Sequence, residues 1–293
     1  QNRVWRLNTE TAQTTNSQSL SPLEGQLRTA LQGGQTALDE TDMLALQLND
    51  SALWPQIWMA HLSTQLQALR PEAGVTADQL DQAMAVLAVP RSRALPSSSA
   101  YALAHTYRAA VQDRTLGPVL ESLRLAQPNF RPELVDIQQR ETLWHLVDQA
   151  DAAHLPPQFD SWSALFADAA RTAVQTTFNG PEPRTWGDIN PTQFQHPLAD
   201  RLPGLGKVLN ITRDNVSGDA QVLRLQHAGY GASMRMTISP GAEQNALFHM
   251  PGSQSGHPFS PYFWRGHQDW VNGEASPLTP GVTRFQMTLI PQR

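Results

Sequence analysis

Three observations predict an α+β fold. Apolar residues recur at helical spacing up to about residue 178, the period changes to two beyond it, and glycine and proline become frequent at the same point. The expected division is a mainly helical region over 1–178 and a strand-rich region over 179–293.

Taken in order, RVWRL (3–7) leads into NTETAQTTNSQSLSP (8–22), which is polar and reads as a loop or insertion. Residues 38–69 then carry Met43, Leu44, Leu46 and Leu48, followed by Leu53, Ile57, Trp58, Leu62 and Leu66, at helical spacing. Asp39 or Thr41 is placed to cap this segment, and Pro55 either splits it or sits in the first turn of a second helix. Further helices are expected over 75–89, with Thr76 as the cap, and over 97–113, 132–150 and 160–178. LPPQFD (155–160) separates the last two.

The alternating stretches follow. In ASMRMTIS (232–239), Met234, Met236 and Ile238 alternate with Arg235, Thr237 and Ser239. In RFQMTLI (284–290), Phe285, Met287 and Leu289 alternate with Gln286 and Thr288. Both read as half-buried strands with the apolar set inward, and VLRLQ (222–226) and ALFHM (246–250) are further candidates. Without intervening helices the pairing should be antiparallel. So few strands with open edges are expected to belong to a larger sheet completed by another chain segment.

Composition bounds the function. Hydrophobic residues make up 40% and charged residues 16% of 293, with a net charge of −5 and no block of lysine or arginine, so neither a nucleic-acid track nor an anionic membrane surface is expected. Cysteine is absent, which excludes disulfides, thiolate metal sites and a cysteine nucleophile. No apolar run approaches the ~18 residues of a membrane helix.

Individual candidates each have an ordinary alternative. His249, His257, His267 and Asp269 are metal-ligand types, yet their spacing matches neither HExxH nor HxH. They read as hydrogen-bonded framework in a long loop. GSQSG around Ser255 lacks the glycine spacing of a nucleophile elbow and reads as a tight turn, not as a Ser255–His257 hydrolase. GLGK (204–207) is not a complete phosphate loop. Tyr262, Phe263, Trp264 and Trp270 suit either ligand stacking or packing on a short helix. Asp188 and Asp219 suit turn formation or buried hydrogen-bond acceptance.

Longer blocks carry a resemblance. RTWGDINPTQFQHPLAD, GDAQVLRLQHAGYGASMRMTISPG and HMPGSQSGHPFSPYFWRGHQDWVNGEASPLTPG closely resemble the end of the β chain in the penicillin amidase family, which includes penicillin, cephalosporin and acyl-homoserine-lactone acylases. LDETDMLALQLNDSAL resembles that family's helical segment more weakly. AVPRSRALPSSSAY departs from it, lacking the usual tryptophan–acid–glycine turn.

The resemblance implies an N-terminal-nucleophile hydrolase with an αββα sandwich and an appended helical region. A serine freed by autoproteolysis attacks an amide carbonyl, with its own α-amine as general base, and an asparagine side chain and a backbone N–H hold the oxyanion. Gln1 has no hydroxyl or thiol, so the nucleophile and oxyanion residues are expected on segments outside this chain. The chain is accordingly expected to be the C-terminal piece of a β subunit, inactive alone, with the remaining α and N-terminal β segments as partners and a small acyl amide as substrate. No cofactor or metal is expected in this chain, and any calcium of the complete enzyme would be held elsewhere. A family arginine that supports the site best matches Arg3, with Arg6 and Arg28 as alternatives and a surface arginine as the ordinary reading. The resemblance also implies export to the periplasm. A stand-alone binding module and an inactive scaffold homologue are the competing readings.

Overall fold

The computed structural model describes residues 38–291, apart from 53, 73, 89–91, 132–135, 200, 202, 203, 212 and 275. The first helices are α1 (Glu40–Gln47), α2 (Trp54–Ala68), α3 (Ala77–Leu87), α4 (Ser99–Ala126), α5 (Asp136–Gln149) and α6 (Trp162–Thr177). Then come two single-turn helices, α7 (Trp186–Ile189) and α8 (Gly206–Leu209). They are followed by β1 (Gln226–His227), β2 (Tyr230–Gly231), β3 (Arg235–Thr237), β4 (Leu247–His249) and α9 (His267–Asn272).

The helix starts follow from local chemistry. Asp39 Oδ1 accepts from the N–H groups of Thr41 and Asp42, both at 2.9 Å, and Asp42 reaches back to close a capping box. Thr76 and Gln79 form the same box at α3. Ser98 and Ser161 cap α4 and α6, each 3.1 Å from a backbone N–H. Pro55 lies in the first turn of α2, where its missing N–H costs nothing. Pro118 lies inside α4, where it removes a hydrogen bond.

The core sits between α2, α4 and α6. Ala169, Ala170 and Ala173 are fully buried on α6, and their small side chains let it approach α4 closely. Trp58 meets Tyr107 and Trp144 edge-on, with ring centroids 5.9 and 5.3 Å apart. The Tyr107 Oη lies 2.8 Å from His61 Nδ1. Burial pushes the Tyr107 phenol well up and the His61 imidazole down, so the phenol stays protonated and donates to a neutral ring.

The strands are short. β1 and β2 pair antiparallel with Gln226 opposite Gly231, and β3 and β4 with Arg235 opposite His249 and Thr237 opposite Leu247. Gly231 cannot be larger, because a Cβ there would lie 2.8 Å from the Trp270 ring. The far edge of β4 is taken by the segment after α9: Phe248 N–H donates to the Ser276 carbonyl at 2.7 Å.

Three strand expectations need correction. First, the faces of β3 are inverted. Arg235 and Thr237 point inward, while Met234, Met236 and Ile238 are exposed. The inward polar face is held by specific partners: Thr237 Oγ1 donates to the Glu40 carbonyl at 3.1 Å, and the Arg235 guanidinium lies over the Trp270 ring, 5.2 Å from its centroid. Second, residues 284–290 pair with no strand among the described residues, and all are exposed instead of half-buried. Third, Val222–Arg224 forms bends and Leu225 only an isolated bridge to Asp219, so only Gln226 of that candidate enters a strand, and the aromatic stretch 260–266 is turns leading into α9. The described residues form an α+β arrangement of helices with two two-stranded sheets.

Candidate functional site

Four segments that are distant in sequence converge beside α4 and enclose a cleft of about 470 Å³. α4 supplies the floor with His105, Arg108 and Gln112. α7 is pinned to the start of that helix by Trp186 N–H to the Ser98 carbonyl at 3.1 Å and Gly187 N–H to the Pro96 carbonyl at 2.8 Å. This sets the Trp186 ring against His105 and Tyr101, with centroids 4.8 and 4.9 Å away.

The wall opposite is the turn after Gly218. Gly218 has φ +122°, and a Cβ there would lie 2.2 Å from the Arg224 carbonyl oxygen, so only glycine fits this backbone crossing. The Trp186 indole N–H donates to the Gly218 carbonyl at 2.7 Å and holds the turn in place. Asp219 and Gln221 are thereby presented to α4. Tyr101 Oη donates to Asp219 Oδ2 at 2.6 Å, and Arg108 Nη1 donates to Gln221 Oε1 at 2.6 Å. The guanidinium carbon of Arg108 sits 4.2 Å from the Trp54 ring centroid. Burial, with the Asp219 carboxylate adding to it, raises the Tyr101 phenol far above its ordinary range, so it remains a donor. At the rim, His227 and Tyr230 stack at 4.6 Å with planes 16° apart.

Beneath this wall Asp50 ties three segments together. It accepts from Arg93 at 2.6 and 3.2 Å and also from the Ser217 hydroxyl. The cleft thus offers a guanidinium, carboxylates, carboxamides and aromatic rings. None of the described residues lining it is serine, threonine or lysine.

The predicted site residues fall elsewhere. His249 Nδ1 donates to the Glu274 carbonyl at 2.9 Å, and its Nε2 faces Arg235 Nη1 at 3.3 Å. Burial, then the Arg235 and Arg224 charges, hold it below the ordinary imidazole range, against the opposing pull of the Glu274 carbonyl and Asp269. Desolvation likewise brings Arg235 down to about 10. His267 lies between the Pro251 carbonyl, 2.7 Å from Nδ1, and Asp214 Oδ2, 3.0 Å from Nε2. His257 is exposed, and its Nδ1 accepts the Phe259 N–H at 3.2 Å in a local turn. The Ser255 Oγ accepts the backbone N–H of His257 at 3.4 Å, a turn contact. The three histidines do not converge, and among the described residues no group of three or more His, Asp or Glu is placed to hold a metal ion.

Asp188 closes a capping box at α7. The Thr185 N–H and hydroxyl, each 2.8 Å from its Oδ2, keep its carboxyl below the usual range. Asp219 is the buried acceptor already described. Trp270 is core, its indole N–H donating to the Ala232 carbonyl at 2.9 Å. Phe263 and Trp264 instead line a shallow apolar cleft with Phe194 and Ile211. GLGK carries the start of α8. Arg3, Arg6 and Arg28 lie outside the described residues.

Sequence reasoning missed His105, Arg108, Asn190 and Gln221. His105, Arg108 and Gln112 do share a helical face, but a mixed polar stripe on a helix reads as a solvated surface until the opposite wall is known.

A sequence profile of the penicillin amidases matches residues 22–281. The chain belongs to the penicillin amidase family. No curated protein matches it. The family is one of amidohydrolases, and the match runs through every segment of the cleft. Of the three candidate arginines, Arg28 falls inside the matched span, and Arg3 and Arg6 precede it.

Proposed function

We propose that this chain works as part of an amidohydrolase that cleaves the amide between an acyl group and an amine, in an N-acyl-homoserine lactone or a β-lactam side chain. The observation that carries this reading is the family match over residues 22–281. The reacting serine belongs to a freshly freed N-terminus on polypeptide outside this sequence, where its α-amine, with an ordinary pKa near ~8, is a suitable base at neutral pH. The described residues join an αββα sandwich whose remaining strands come from those same segments, and Arg3 supports the site. Export to the periplasm goes with this reading.

The role assigned to the described residues is positioning. Arg108, Gln221 and Asp219, locked by Trp54 and Tyr101, form a rigid polar wall on which a neighbouring segment or a substrate's polar group is held.

The test is release of amine from a chromogenic acyl-anilide, with this chain alone and with the upstream segments of its precursor. Activity only in the combination is expected. Turnover by this chain alone would overturn the reading, as would an assembled protein that releases no amine. The cleft of about 470 Å³ favours a binding module as the second reading. That alternative expects a folded monomer travelling without companion polypeptides, which intact-mass measurement of the purified protein decides.

A further inference from the structure

Three buried side chains in the cleft beside α4 each spend one end on the fold and leave the other for the cavity they line. Arg108 can only donate, so Gln221 gives it Oε1, at 2.6 Å, and keeps its two amide hydrogens for the cleft. Asn190 donates Nδ2 to the Gln226 carbonyl at 3.3 Å and keeps Oδ1 as an acceptor. Asp219 gives Oδ2 to the Tyr101 hydroxyl, which leaves Oδ1. None of these three remaining groups is sealed from the cavity. At the rim His227 Nδ1 accepts the Gly229 N–H at 3.3 Å, which puts the ring proton on Nε2. The same ring stacks on Tyr230, whose side is open to the cleft and 49% exposed.

Charge and hydrogen bonding narrow the ligand. The Arg108 guanidinium in this wall opposes a cation, and the carboxylates of Asp219 and Asp113 oppose an anion. An apolar ligand would strip water from the amide and carboxylate atoms and leave them unpaired, at about 1–3 kcal/mol each. A neutral molecule that donates and accepts at several points, with a flat C–H face for the rings, meets every group. We propose that the cleft is a binding site for a neutral saccharide of one or two rings. Its hydroxyls bridge Gln221 Nε2, Asn190 Oδ1 and Asp219 Oδ1, and its C–H face lies on the Tyr230–His227 stack. The volume, about 470 Å³, falls within the range of small-ligand sites. The turn carrying Asp219 and Gln221 is preset, because Gly218 accepts no side chain and Trp186 holds its carbonyl, so little ordering is left for the ligand to induce. The inference names what this polar wall holds and stands apart from the amidase reading.

The experiment titrates the purified protein, with the companion polypeptides it carries, with glucose, galactose, mannose and N-acetylglucosamine. Calorimetry and saturation-transfer NMR of the sugar follow the binding. At least one sugar is expected to saturate with a Kd of ~10 mM or tighter. Gln221→Glu keeps the oxygen that Arg108 holds and removes both donors, and Tyr230→Ala removes the half-exposed ring. Each variant is expected to weaken binding about tenfold or more while melting at the parent midpoint. Ethylammonium chloride and sodium acetate, as charged probes, are expected not to displace the sugar. Binding weaker than ~10 mM by all four sugars overturns the inference. So does an affinity that either variant keeps, or displacement by either charged probe. Sugar binding in a preparation that releases no amine from the acyl-anilide leaves this site standing and removes the amidase reading. Amine release without sugar binding does the reverse.

Discussion

Tyr101 and Asp219 meet through a 2.6 Å hydrogen bond that joins α4 to the turn opposite it, across 118 positions of sequence. Both side chains are buried, so the phenol is the donor that steadies a carboxylate removed from water. Replacing Tyr101 by Phe removes that donor and leaves the shape nearly unchanged. The expected cost is about 1–3 kcal/mol, seen as a lower midpoint in urea. Adding Asp219→Asn should recover part of it. A Tyr101→Phe protein as stable as the parent would show that the bond contributes nothing.

Gly218 should tolerate no side chain. Alanine there meets the Arg224 carbonyl at 2.2 Å in a backbone region that L-residues avoid, whereas at Gly256 it meets nothing within 4 Å. Gly218→Ala is expected to cost several kcal/mol, about 3 or more, or to prevent soluble expression, and Gly256→Ala to stay within ~0.5 kcal/mol. Parallel thermal melts of the two variants check this.

The histidines should separate by burial. His267 is 5% exposed with an acceptor at each ring nitrogen, and its replacement by Ala should cost about 2–4 kcal/mol. His257, expected from sequence to be framework, is exposed. His257→Ala should change stability by less than ~0.5 kcal/mol. Denaturant curves for both variants decide whether the framework role belongs to His267 and not to His257.

Acid should weaken the fold through His249 and His61. Both imidazoles sit below their ordinary value of 6.5, mainly because burial disfavours the charged ring, and at His249 Arg235 and Arg224 add to this. Below that value the unfolded chain takes up the protons first. Stability contributed by these rings is therefore present above pH 6.5 and is lost as pH falls through it toward the folded values. The slope of stability against pH between 6.5 and 5 should shrink in a His61→Gln, His249→Gln double variant. An unchanged slope would remove both rings from the acid response.

The helix starts were legible because they depend on neighbours in sequence. Asp39 with Asp42 and Thr76 with Gln79 form their boxes within one turn, and no distant residue is needed. The faces of β3 were not. Alternation fixes which residues share a side but not which side is covered, and the choice is made by Trp270 and Glu40, far away in the chain. The family was legible in the long C-terminal blocks. The cleft was not, because its parts lie near residues 105, 186, 219 and 227, and no contiguous stretch of sequence joins them. The histidine-rich loop at 249–273 attracted notice for its chemistry, yet its buried rings serve carbonyls and a neighbouring guanidinium.

The proline within α4 has an effect beyond its own helix. Lacking an N–H, Pro118 leaves the carbonyl of Arg114 without its intrahelical donor, and Gln158 fills the place, its Nε2 lying 3.3 Å from that oxygen. The connector between α5 and α6 is thereby stitched to the middle of the longest helix by a group that an unbroken helix would have kept for itself. A sequence change that restored a donor at 118 would make that stitch redundant, so residues 118 and 158 should be free to vary only together.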